Sequence, residues 1–271
     1  MEDYGIRLSL QDGVAVVTLD RPARRNAFDQ KMWSDLVEVG KRLAARLPRA
    51  VVVTGAGDRA FCAGMDVNPD NPQVAGILNA VRDHDPGPVR GLLDQLAGAV
   101  RALVDLPVPV IAALNGPAYG GGAELAVSCD FRVLDPGALI RFSEVRLGLM
   151  PDWGGGVALT RLAGPSVAAD LILTARSVDA HEALALGLAN RVSEPGKALE
   201  EALNLARAIA ANGPRAVRHA LSVIRKTPDL TLEEALDLEA REAAELIASG
   251  ECVHGIGAFF EKKEPEFPDP E

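Results

Sequence analysis

Cysteine is scarce in this chain. Cys62, Cys129 and Cys252 are odd in number, far apart, and set in neither a CxxC nor any other metal-ligand spacing. They spell out no disulfide framework and no metal site, and read as reduced thiols. Basic charge is also short: 28 Lys and Arg stand against 38 Asp and Glu, a net −10. That balance disfavours a nucleic-acid or anionic-membrane surface, so any anionic ligand has to meet a local basic patch. No apolar run reaches the roughly eighteen residues of a membrane span. MEDYGIRLSL has neither the basic start nor the apolar core of a signal peptide, and EPEFPDPE carries no lipidation signal. A solenoid-type repeat is missing too. A soluble cytoplasmic protein is expected, with no nucleic-acid or membrane partner.

The chain does have enough apolar residues for a large core. Hydrophobic residues make up 48% and charged residues 24% of 271, an ordinary globular balance for one large domain with or without an appendage. IRLSL and VAVVTL flank Asp12-Gly13 as a hairpin. Asp29 is a candidate cap for a helix reaching about Leu47, with Met32, Trp33, Leu36, Val37, Leu43 and Leu47 inward. AVVVTG at 50–55 and VIAAL at 110–114 read as buried strands, followed by FRVLD at 131–135 and a strand at 139–142. A helix is expected over Leu92–Val104, and an irregular stretch, with room for a short helix, over Val67–Val89. Strands alternating with helices indicate an α/β domain with mostly parallel pairing. After about residue 195 the strands stop, and three helical stretches follow to Ser249. Residues 1–195 are therefore read as the core and 196–271 as a helical appendage.

Three segments carry candidate chemistry. GDRAFCAGMD (57–66) follows a strand and leads through a glycine turn, which exposes backbone N–H groups suited to negative charge. PAYGGGAELAVSCD (117–130) places three glycines before Glu124, so that another N–H can approach a ligand unshielded. Two such groups aimed at one oxygen make an oxyanion hole. IRFSEVRLGLMPDWGGG (140–156) adds Glu144 and Asp152.

Together with DRPARRNAF near the start and GIGAFFEKKEPEF near the end, these segments resemble the crotonase (enoyl-CoA hydratase/isomerase) superfamily, in register over nearly the whole chain. The resemblance implies a spiral of repeated ββα units with a C-terminal helical region that builds homotrimers or homohexamers. It implies an acyl-CoA thioester as substrate, with coenzyme A as part of that substrate and no separate cofactor. The oxyanion-hole amides fall at Met65 and Gly121. The two hydratase glutamates fall at Glu124 and Glu144, where they orient a water and move its protons. Asp152 stands where some isomerases of the superfamily carry a catalytic aspartate, so isomerisation through Glu144 and Asp152 is the alternative to hydration. A non-catalytic binding protein on the same fold is a further one. For coenzyme A the resemblance points to Arg24, Arg25, Ala27, Ala63, Asp66 and Val67, with Lys262 reaching from a neighbouring subunit. Val74, Ile77 and Leu78 are candidate acyl-pocket walls.

Each candidate has a plainer reading. Glu124 could serve its own helix dipole. Glu144 could pair with Arg141 or Arg146 at the surface. Asp152 could be a helix N-cap. Cys62 reads as a small buried apolar residue.

Overall fold

The computed structural model describes residues 5–270. The hairpin is formed by β1 (Gly5–Gln11) and β2 (Val14–Asp20), paired antiparallel. Asp12 and Gly13 turn it with φ of 51° and 75°, the twist that a two-residue hairpin loop requires. Asp29 caps α1 (Gln30–Ala45), its carboxylate accepting the Met32 N–H at 2.9 Å. Met32, Trp33, Leu36 and Leu43 are buried as expected, while Val37 and Leu47 are only partly covered.

All six residues of β3 (Ala50–Gly55) are buried. It joins β2 to β4 (Val110–Leu114) in a six-stranded sheet that continues through β6 (Phe131–Leu134) to β9 (Arg191–Val192), and only the β1–β2 pair is antiparallel. A small second sheet contains β5 (Ala118–Tyr119), β7 (Leu139–Arg141) and β8 (Val178–Asp179). Both faces of the large sheet are covered, which is why β3 and β4 read as unbroken apolar runs. On one face Val17, Val51, Val53, Ala112 and Leu134 join the main core with α1 and α3 (Gly87–Val104). On the other, Val14, Val52, Ile111 and Val133 meet Ala202, Leu205 and Ala206 of α7 (Ala198–Ala210).

The stretch read as irregular with room for a short helix holds the three-turn α2 (Pro72–Asp83), started by Asn71, whose side chain accepts the Gln73 N–H, with Pro72 at the first helical position. Helix α3 begins at Gly87, five residues before the expected Leu92. Between β5 and β6 runs α4 (Gly121–Ser128), and α5 (Gly155–Thr174) packs against it. Among the described residues, α5 is the one helix as long and apolar as a membrane span, with a mean hydropathy of 1.3 over its window. Gly164 (φ 80°, ψ 164°) breaks it in front of Pro165, so it is two short helices and no continuous rod.

After α6 (Ala180–Ala185) and α7, the chain forms α8 (Pro214–Lys226), α9 (Leu232–Ala248) and α10 (Cys252–Glu261), the last being additional to the three expected helices. Arg225 fastens α8 to the sheet, donating to both Asp130 carboxylate oxygens (2.7 and 2.6 Å) and to the Leu106 carbonyl. Arg49, just before β3, donates to the carbonyls of Ala210 and Phe267 and to the Asp269 carboxylate, which ties residues 267–269 back onto the core.

Candidate active site

The site forms where two loops at the end of the sheet meet the start of α4. The loop after β3 is fixed from outside by Asn26, a buried residue in the left-handed region with φ 57°. Its side-chain amide donates to the carbonyls of Ala56, Ala60 and Phe61. Arg21, also buried, donates to the Ala27 carbonyl and reaches the carboxylates of Asp29 and Asp66. Sequence reasoning passed over both residues. The available signal was an Asn within RRNAF, since Asn tolerates left-handed backbone better than other non-glycine residues.

Met65 pairs with Phe28 through a parallel bridge in which the Phe28 N–H donates to Gly64 and the Asp66 N–H donates to Phe28. That pattern leaves the Met65 N–H facing away from Phe28. The start of α4 lies close to this turn: a Cβ at Gly64 would lie 3.0 Å from the Gly121 nitrogen. Gly121 opens α4, so its N–H has no intrahelical acceptor. Among the described residues neither the Met65 nor the Gly121 N–H has a hydrogen-bond partner. Two unclaimed donors are therefore brought to one loop junction, and an oxyanion hole needs two such groups aimed at one oxygen.

The three glycines answer to separate constraints. Gly120 has φ 50° and ψ −126°, which side chains disfavour. A Cβ at Gly122 would fall 2.3 Å from the Cys62 carbonyl oxygen, and one at Gly121 would enter the ring of Trp153. Burial pushes the Cys62 thiol up to about 12, so it is an inert packing group and no nucleophile.

Glu124 lies in the first turn of α4 at 1% exposure. Its Oε2 accepts the N–H groups of Trp153 and Gly155, both at 2.9 Å, and its Oε1 accepts the Asp152 N–H at 3.2 Å. The start of α5 thus grips this carboxyl, which is more than a dipole partner for α4. Burial pushes its pKa up to about 8 against the pull of the Gly155 and Trp153 donors, and the nearby charges of Glu144 and Asp152 raise it further. Oε1, held only by the longer contact, is the oxygen with room for a proton.

Glu144 starts a short helical turn, Glu144–Leu147. Both of its carboxylate oxygens are buried with no hydrogen-bond partner. A Cβ at Gly120 would sit 3.4 Å from its Oε1, which places the carboxylate beside the oxyanion loop. Glu144 makes no ion pair among the described residues, and Arg141 instead donates to the Ala175 carbonyl. Burial raises the Glu144 pKa, while the nearby backbone N–H groups of Glu144 itself and Ser143 and the neighbouring Glu124 carboxyl pull it down without meeting hydrogen-bond geometry, and the Asp152 charge adds to the rise. Asp152 is half-buried with a pKa raised by desolvation. It does not cap α5, whose cap position is Gly154 with no side-chain bond. Three acids and two unclaimed amides therefore converge, and that set can hold a water against an acceptor whose oxygen gains negative charge.

The outer residues are more scattered. Arg24 lines a recess of about 380 Å³ with Arg21, Lys31, Asp66 and Asn68. Arg25 is exposed, and its carbonyl accepts the Ala63 N–H. Ala27 is buried, and its carbonyl serves Arg21. Val67 is 63% exposed beside the recess. Lys262 ends α10 and is not among the residues of this recess. Of the suggested pocket walls, Val74 and Ile77 are half-covered on α2 and Leu78 faces solvent.

The family model for enoyl-CoA hydratase/isomerase matches residues 9–270. The chain belongs to that family. Enoyl-CoA hydratase EchA19 of Mycobacterium tuberculosis is 37% identical over 253 residues, which cover 93% of this chain and 92% of that one. The short-chain-enoyl-CoA hydratase of Clostridium acetobutylicum is 34% identical, covering 98% of both. The crystal structure of an enoyl-CoA hydratase from Bacillus anthracis superposes with a TM-score of 0.87 at 31% identity, over 97% of this chain and 98% of that one. The two sheets and flanking helices are thus the crotonase fold that the motifs implied, and enoyl-CoA hydratase/isomerase chemistry is the setting for the three acids.

Proposed function

We propose that this protein is an enoyl-CoA hydratase that adds water to a trans-2-enoyl-CoA to give a 3-hydroxyacyl-CoA. The observation that carries the reading is Glu144: two buried carboxylate oxygens without partners, beside a second carboxyl whose pKa is raised. Buried polar atoms are almost always satisfied, and a water between the two acids satisfies these. The thioester oxygen takes the N–H groups of Met65 and Gly121, which favour negative charge developing there. The pair carries one proton. The ionised carboxylate accepts a proton from the water as its oxygen bonds C3, and the protonated carboxyl delivers its proton to C2. Proton transfer between the two then restores the starting state, and water has been added across the double bond. C3 is oxidised as C2 is reduced, so there is no net oxidation and no electron carrier enters.

Coenzyme A is assigned to the recess at Arg24 and Asp66 and to the loop from Ala63 to Val67, with Arg25, the Ala27 segment and a neighbouring subunit's copy of Lys262 at its edge. Residues 196–271 are read as the assembly region of a trimer or hexamer: α7 anchors on the sheet and α8–α10 present apolar side chains outward. The buried free thiols Cys62 and Cys129 suit a reducing cytoplasm.

Asp152 supports a second reading. Its charge is felt by both glutamates, and an acid there can pass a proton between carbons and so shift a double bond. Ultraviolet absorbance separates the two. Hydration removes conjugation from a 2-enoyl-CoA and lowers absorbance, whereas isomerisation of a 3-enoyl-CoA creates conjugation and raises it. Loss with the first substrate alone is expected. Gain with the second and no change with the first would replace hydratase by isomerase, and no change with either would favour a non-catalytic binding role.

A further inference from the structure

Trp153 follows Asp152 in the loop leading to α5, and its side chain lies against the oxyanion loop. A Cβ built on Gly121 would sit 2.4–2.5 Å from three alternating atoms of the six-membered ring, so the glycine Cα–H points at the ring centre. Trp33 and Phe28 hold the same indole at centroid distances of 4.5 and 5.5 Å, and it is 4% exposed. Trp153 is also part of the wall of an apolar cleft of about 700 Å³ between α3, α4, α5 and α8, with Val100, Val104, Val127, Val157 and Leu162. One ring therefore packs on Gly121 of the oxyanion loop and at the same time lines the cleft.

We propose that Trp153 is a specificity-determining residue whose indole ends the acyl pocket and holds the enzyme to short acyl groups. The cleft behind it is the room that a smaller side chain opens to longer ones. This inference rests on the acyl-CoA reading above. Each methylene moved from water into an apolar cleft tightens binding about fourfold. With the indole wedged between Gly121 and two other aromatics, a longer chain has to remain in water or displace the ring. Trp153 meets Glu124 only through its backbone N–H, which every substitution except proline retains, so pocket length can be changed with the acids left in place.

The test is isothermal titration of folded wild-type protein and Trp153→Ala with saturated acyl-CoAs from butyryl to palmitoyl, a readout that needs no turnover. Wild type is expected to bind butyryl-CoA and to gain nothing from longer chains, while Trp153→Ala tightens by about fourfold per added methylene over the first several. Trp153→Phe preserves contact with Trp33 and Phe28, and is expected to shift the break toward longer chains if the alanine variant folds poorly. Parallel profiles for wild type and variants, with butyryl-CoA still bound, would overturn the partition, as would a wild-type profile that already tightens toward palmitoyl. If folded wild type binds no acyl-CoA at all, the acyl-CoA reading itself falls and this inference goes with it.

Discussion

Helices α4 and α10 are both short and apolar, yet one is finished by its own chain and the other is not. Gly121 to Val127 are all buried in α4, against the Cys62 carbonyl and the Trp153 ring. In α10 no residue is buried, and Val253, Phe259 and Phe260 are 69%, 77% and 78% exposed. Apolarity in a sequence states that a surface has to be covered, and says nothing about which molecule covers it. The glycines of α4 exist because their cover is close backbone and ring from the same chain. Large side chains on α10 suit a looser and more distant surface, such as a second copy.

Four variants and a pH series sharpen or break that contrast. The largest effect is expected from Glu144→Gln, which should lower the hydration rate by about 10²–10⁴-fold. Its melting temperature should stay close to wild type, because the carboxylate has no partner to lose. A variant with near-normal turnover would remove Glu144 from the chemistry. Next is Gly122→Ala, where a methyl group meets the Cys62 carbonyl; urea unfolding should show a loss of about 3 kcal/mol or outright misfolding. A midpoint equal to wild type would mean that α4 is not tightly bound to its own chain. Replacing Phe259 and Phe260 together by Ser should leave the circular dichroism unchanged and reduce the mass seen by light scattering. An unaltered mass would place the cover of α10 elsewhere.

Smaller still is a pH effect. Glu124 is raised from 4.5 to about 8, so an unfolded chain releases this proton first as pH rises. Its contribution to stability is full below about 4.5 and is lost progressively up to about 8. Urea midpoints taken near both limits should fall less for Glu124→Gln than for wild type, and equal falls would argue against a raised pKa. The least effect is expected from Asp152→Asn, which on the hydratase reading changes hydration by less than about threefold, far below the effect of removing a group that transfers the proton. A loss matching that of Glu144→Gln would make Asp152 a third essential acid.

Much of the fold was legible from sequence wherever burial left a period. The hairpin, α1, β3 and β4 follow from Asp-Gly, a capping Asp and unbroken apolar runs. Helix α2 was foreseen only as room for a short helix without bounds, because among its residues only Gln73 is buried and Leu78 and Val81 face solvent, so no apolar stripe marks it. The Asn71-Pro72 start was the one local sign. Helix α3 was placed five residues late for the same reason: its buried residues begin only at Leu96. In the site, Glu124 and Glu144 stood out through motif resemblance. Trp153 did not, because its importance lies in packing on Gly121, thirty-two positions earlier, a relation that exists only in three dimensions.

Arg49 introduces a matter of timing. Its partially buried guanidinium waits for partners 218 and 220 residues further along. At ribosomal speeds that delay is on the order of ten to forty seconds. During it the emerging sheet carries a cation whose intended carbonyl and carboxylate have not yet been synthesised. The clasp therefore closes in two stages: the Ala210 carbonyl becomes available first, and the bonds to Phe267 and Asp269 can form only after residues 267–269 have been made.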